Sequence, residues 1–134
     1  MTKLVDIEGI GPAYAQKLEA AGLKSLEDFL NKATTPKARK EIAEKAGVSD
    51  TLILKWANRA DLYRIKGVGS EYSDLLEASG VDTVPELAMR KPENLVEKMA
   101  AVNLEKKLVR RVPVVSMVTN WVEQAKKLPR VLTY

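Results

Sequence analysis

Apolar residues recur along this chain at spacings of three and four, and hydroxyl, proline and glycine positions divide the pattern into short helical segments. Tyr14, Ala15, Leu18 and Ala21 share one face of a helix that Pro12 opens and Gly22 closes. Ser25, with Asp28 three residues on, starts a second segment carrying Leu26, Phe29, Leu30 and Ala33. Thr35-Pro36 opens a third, whose face is Ala38, Ile42, Ala43 and Ala46 and whose stop is Gly47. After Ser49, the residues Leu52, Ile53, Trp56, Ala57, Ala60 and Tyr63 predict a helix of roughly 50–63, the longest apolar stripe and the spine between two halves.

The second half follows the same plan. Tyr72, Leu75, Leu76 and Ser79 form one face closed by Gly80, and the capping residues Thr83 and Glu86 precede Leu87 and Ala88. Pro92 opens a helix with Leu95, Val96, Met99 and Val102 inward. A short segment from Leu104 to Arg111 then carries Lys106, Lys107, Arg110 and Arg111, whose spacing puts all four on one side of a helix, opposite Leu104 and Leu108. Val114, Val118, Trp121, Val122, Ala125 and Leu128 make a last amphipathic helix, closed by Pro129. No strand pattern of useful length competes, because Pro113 breaks the nearest candidate. The fold class is all-α: a single domain over 1–134, with internal repeats of about 4–61 and 62–128 and a docked tail at 129–134 whose apolar residues are Val131, Leu132 and Tyr134. With no Ser/Gly-rich linker between the halves, one rigid body is expected.

The repeat rests on two turns. Ile7-Glu8-Gly9-Ile10-Gly11-Pro12-Ala13-Tyr14 returns 58 residues later as Ile65-Lys66-Gly67-Val68-Gly69-Ser70-Glu71-Tyr72. In each, glycines permit backbone angles that a side chain opposes, the apolar residue between them plugs the core, and the next helix presents its first N–H groups outward. Such a turn is either a tight connection that needs glycine for geometry alone or a small anion site that favours a phosphate oxygen.

Composition narrows the chemistry. The chain has no cysteine and no histidine, which removes disulfides, thiolate zinc sites, the commonest general base and the triads built on it. Asp6, Glu8, Glu71 and Asp74 are the remaining candidates for a metal or acid/base set, but no spacing places them in one cleft, so the chain does not read as an enzyme. Net charge is +4; residues 62–134 hold twelve Lys/Arg against nine Asp/Glu. That balance permits a polyanionic partner without requiring one. The four cations Lys106 to Arg111 are either a solvated face or a phosphate contact, whereas Lys37, Arg39 and Lys40, interleaved with Glu41 and Glu44, read as ordinary surface. Trp56, Trp121, Phe29, Tyr14 and Tyr72 lie on apolar faces and read as core; Tyr63 and Tyr134 stay open. No apolar run spans a bilayer and the first residues lack a signal peptide's apolar stretch, so a cytoplasmic protein, without a membrane and monomeric, is expected.

The turns, followed by Ala15 and Leu18, then Gly22-Leu23, then Leu26 and Leu30, resemble the helix-hairpin-helix motif, and two copies resemble the tandem domain of DNA repair, recombination and replication proteins. Nearly the whole chain, including the ending Lys127-Leu128-Pro129-Arg130, is similar to small bacterial helix-hairpin-helix proteins known only as a domain of unknown function. The wider resemblance implies that hairpin amides bind phosphates of duplex DNA without sequence preference, and it points to Gly9, Ile10, Gly11, Gly67, Val68 and Gly69. Lys17 and Lys66, with Lys106, Lys107, Arg110 and Arg111, are the cations that would assist. No cofactor is expected beyond a monovalent cation at a hairpin. The flanks depart from the motif: Lys17 is the first basic residue after Gly11, and Glu71 and Asp74 follow Gly69, partly offset by Arg64 and Lys66. A protein-interaction scaffold with structural hairpins, or a binder of small anions, stands beside the DNA-binding reading.

Overall fold

The computed structural model describes residues 3–7 and 9–134, and among them it contains eight α-helices and no strand. A 3₁₀ turn, Leu4–Asp6, is followed by α1 (Pro12–Ala20), α2 (Leu26–Lys32), α3 (Pro36–Ala46) and α4 (Asp50–Leu62). After these come α5 (Ser70–Ala78), α6 (Val84–Ala88), α7 (Pro92–Lys106) and α8 (Val115–Lys127). The local signals act where they stand in the chain. The side-chain oxygens of Ser25, Thr35, Ser49 and Thr83 accept the N–H three residues on, from Asp28, Ala38, Leu52 and Glu86, at 3.1–3.2 Å. Pro12, Pro36 and Pro92 sit in first turns, where a missing N–H costs nothing. The helices α1, α3 and α5 end against left-handed Gly22, Gly47 and Gly80.

The chain divides into two compact units, one formed by Met1–Asp61 together with Arg130–Tyr134, the other by Leu62–Pro129. In the first, α1 packs against α3 and the 3₁₀ turn, and Leu18, Phe29, Ile53 and Trp56 are buried at its centre. The C-terminal residues complete this unit. Leu132 is buried, and the Thr133 N–H and hydroxyl both donate to the Thr34 carbonyl at 2.8 and 3.0 Å.

Arg39 corrects the surface reading of its cluster: it is only 5% exposed. Its guanidinium donates to the Ala33 carbonyl at 2.8 Å and to the Thr133 carbonyl, and it lies 5.7 Å from the Tyr134 ring centroid. Burial lowers its pKa from the ordinary arginine value, against an opposing pull from Tyr134. The Tyr134 hydroxyl in turn donates to Asn58 at 2.9 Å.

In the second unit α8 packs on α6 and α7, and α5 on α7, around Leu75, Leu76, Leu87, Met99, Val118 and Trp121. Here the expected helix from Leu104 to Arg111 does not form. The helix α7 stops at Lys106, Lys107 takes a left-handed φ of 50°, and residues 107–114 run as a loop. The reason is Asn103: its Oδ1 accepts the Val109 N–H at 3.0 Å and its Nδ2 donates to the Val109 carbonyl at 3.1 Å. That pair satisfies the backbone of Val109, which lies in the core, without a helix. Pro113 is buried beyond it, and Val114, placed on the last helix's apolar face by the sequence pattern, instead precedes α8 and is 56% exposed.

Candidate functional site

The two glycine turns have matching backbones. In the first, Ile7 and Ile10 are buried, the Ile10 N–H donates to the Ile7 carbonyl at 3.0 Å, and Gly9 between them has φ +93°. In the second, Ile65 and Val68 are buried, the Val68 N–H donates to the Ile65 carbonyl at 3.1 Å, and Gly67 has φ +97°. A tryptophan backs each turn. A Cβ on Gly9 would stand 3.4 Å from the Trp56 Nε1, and one on Gly67 only 2.9 Å from the Trp121 Nε1. The indoles in turn meet Tyr14 and Tyr72, with ring centroids 5.0 and 5.2 Å apart. A left-handed backbone angle explains the first glycine of each turn, and at Gly67 close approach adds to it.

They do not explain the second. Gly11 (φ −83°, ψ 178°) and Gly69 (φ −105°, ψ −163°) lie in extended conformations open to any residue with a side chain, and a Cβ on either meets nothing within 4 Å. Both are the N-cap of the following helix. Where α2, α3, α4 and α6 cap themselves with a hydroxyl, α1 and α5, like α7 and α8, have no side-chain cap, and the first hydrogen bonds of α1 and α5 come only at Ala15 and Ser73, each to the N-cap carbonyl at 2.9 Å. In α1 the preceding amides of the first turn have no acceptor within the helix.

The surroundings of the two turns differ. Beside the first, Tyr14 is 36% exposed, so it is a surface ring leaning on Trp56 rather than a core residue, and the Lys17 Nζ lies 5.7 Å from its centroid. At the second, Tyr72 is half-buried and its hydroxyl donates to the Arg111 carbonyl at 3.1 Å. Gln124 accepts the Lys66 N–H at 2.8 Å and donates to the Lys66 carbonyl at 3.1 Å. This clasp was not anticipated; the polar Gln124, one helical turn after Trp121 on the stripe that α8 buries, was its only sequence signal. Glu71 stands exposed in the first turn of α5 with Asp74 behind it, and Arg64, expected to offset them, donates to the Pro129 carbonyl at 2.8 Å.

The expected basic face is dispersed. Lys106 ends α7, Lys107 occupies its left-handed cap, and Arg110 and Arg111 sit in the bend beyond, so the four do not form one row on a helix. Of the acidic set, Glu8 lies outside the described residues, and no group of three or more Asp or Glu among the described residues is placed to hold a metal ion. Also among the described residues, no helix is long and apolar enough to cross a membrane.

No curated protein and no solved structure matches the chain significantly. Residues 8–128, nearly the full length, do match one described family, and the protein belongs to it: the domain of unknown function DUF4332.

Proposed function

We propose that this protein is a non-enzymatic module that grips the phosphate backbone of nucleic acid, duplex DNA in preference, through glycine turns of the helix-hairpin-helix kind. The observation that carries the proposal is the second glycine of each turn. Gly11 and Gly69 answer no demand of the fold, yet each sits where a serine or threonine would close a helix N-terminus. Glycine there gives a clear approach to the helix N-terminus, uncapped by a side chain, which suits a phosphate oxygen at the positive end of the helix dipole. Contacts of that kind hold a backbone in position and read no bases.

The first turn is the stronger grip, having Lys17 nearby and no acid in the first turn of α1. At the second, Gln124 already holds the Lys66 amide and Glu71 repels an anion, observations that favour an architectural role for that turn. Lys106, Lys107, Arg110 and Arg111, no longer one helical row, are left out of the grip. A monovalent cation at either turn would have to be held by backbone carbonyls, and those of Ile7 and Ile65 already accept the turn's own N–H.

The test is fluorescence anisotropy of labelled duplex and single-stranded DNA, titrated from low to physiological salt. Each phosphate neutralised on duplex adds about −0.9 to the slope of log K against log salt. Gly11→Asp should weaken duplex binding at least tenfold with an unchanged or slightly raised melting temperature, since aspartate can cap α1, and Arg110→Glu should weaken it far less, through net charge alone. Absence of binding at low salt, or equal affinity in folded Gly11→Asp, would refute the proposal.

A further inference from the structure

The loop that replaces the expected basic helix builds a groove in the second unit. Ala100, Asn103, Leu104, Lys107 and Val112 line a cleft of about 390 Å³ between the end of α7 and the loop. That volume lies within the usual range for ligand clefts, about 300–1,000 Å³. Leu104 in its wall is 81% exposed, and Val114 and Val115, where the loop enters α8, are 56% and 41% exposed.

The loop is also held in place. Asn103 pins Val109 from both sides, Val109 lies in the core, and the Tyr72 hydroxyl holds the Arg111 carbonyl. A groove whose walls are fixed before binding loses little entropy when it is filled.

Charge says what fills it. Lys107 lines the cleft, Lys106, Arg110 and Arg111 belong to the same stretch of chain, all four are exposed, and among the described residues none of their side chains forms an ion pair. Lys107 adds an independent sign. The other helices that end against a left-handed residue use glycine, at 22, 47 and 80, whereas α7 places a lysine in that conformation, so the position keeps a cation where the backbone favours glycine. An apolar cleft with Lys107 in its wall, and with three more exposed cations in the adjoining stretch of chain, complements a partner that offers carboxylates and an aliphatic anchor together.

We infer that this groove is a docking site for an acidic amphipathic segment of a protein partner, which inserts an aliphatic side chain beside Leu104 and pairs its carboxylates with Lys106, Lys107 and Arg110. A phosphate backbone has no use for the apolar wall. The groove stands whether or not the glycine turns bind DNA.

The probe is a labelled 16-residue peptide with leucines at helical spacing i, i+3, i+4 and i+7 and glutamates on the flanking positions, titrated against the full chain by anisotropy. Two control peptides replace all leucines by serine or all glutamates by glutamine. Binding at micromolar concentration is expected, at least tenfold weaker for either control and for the exposed-site variants Leu104→Ser and Lys107→Glu, with their melting temperatures unchanged. Duplex DNA affinity should be unaltered in Leu104→Ser. The inference is overturned by absence of peptide binding below millimolar concentration, by equal binding of the serine control, or by full affinity in Leu104→Ser. It is equally overturned if Leu104→Ser instead reduces binding of duplex DNA or of vesicles rich in anionic lipid.

Discussion

Glycine at four positions in two equivalent turns does two different jobs, and substitution separates them. At Gly67 an added methyl group meets the Trp121 indole nitrogen at 2.9 Å with φ at +97°, and at Gly9 it meets Trp56 at 3.4 Å with φ at +93°. We expect Gly67→Ala to cost about 1–3 kcal/mol and Gly9→Ala somewhat less, whereas Gly11→Ala and Gly69→Ala should stay within about 0.5 kcal/mol of wild type in urea denaturation. Gly11→Ser should gain a few tenths of a kcal/mol by capping α1, as Ser25 caps α2, and should weaken DNA binding because its hydroxyl occupies the amides. All four glycines stand out in the sequence. Which two the fold requires was not legible, because the answer lies in Trp56 and Trp121, more than 40 residues along the chain from the turns they support.

Helix limits in this protein follow local chemistry except at the end of α7. Caps and glycines act on residues three or four positions away, so seven of the eight helices end near where the pattern places them. The exception depends on one side chain. Asn103→Ala would leave the Val109 N–H, in a residue 8% exposed, without its acceptor. We expect a loss of about 1–3 kcal/mol and faster hydrogen exchange at Val109, with α8 unaffected. The short helix α6 carries a pH dependence. Burial, then the shared hydrogen bond and charge of Asp82, raise the Glu86 carboxyl above its ordinary value of 4.5. Folded, this group holds its proton more tightly than unfolded, so its contribution to stability is complete below that ordinary value and lost as pH rises through the folded one. Glu86→Gln should therefore melt higher than wild type at pH 7, and the difference should vanish at about pH 3; an unchanged or lower melting temperature at pH 7 would contradict this.

At the scale of the whole molecule, the chain order and the compact units do not coincide, since Arg130–Tyr134 belong with the N-terminal residues. Leu132, 1% exposed, fills the first unit, and the Thr133 carbonyl accepts from the buried Arg39. Leu132→Ala should cost about 2–5 kcal/mol and show first as exchange of first-unit amides, while core amides of the second unit keep their protection. The net charge of +4 is modest, so any grip on a polyanion must come from local geometry and should weaken steeply with salt. The sequence by itself determined the all-α class, the starts and stops of most helices and the paired turns, because capping, proline geometry and apolar periodicity act within a few residues. Only the tertiary structure decided which glycines the fold leaves spare, that Gln124 occupies the second turn, that Asn103 ends α7, and that Arg39 lies buried against the returning tail. Each of these needs a long-range neighbour or a side chain folded back on its own loop, 66 with 124 or 39 with 133, and such pairings carry no local periodicity to be read.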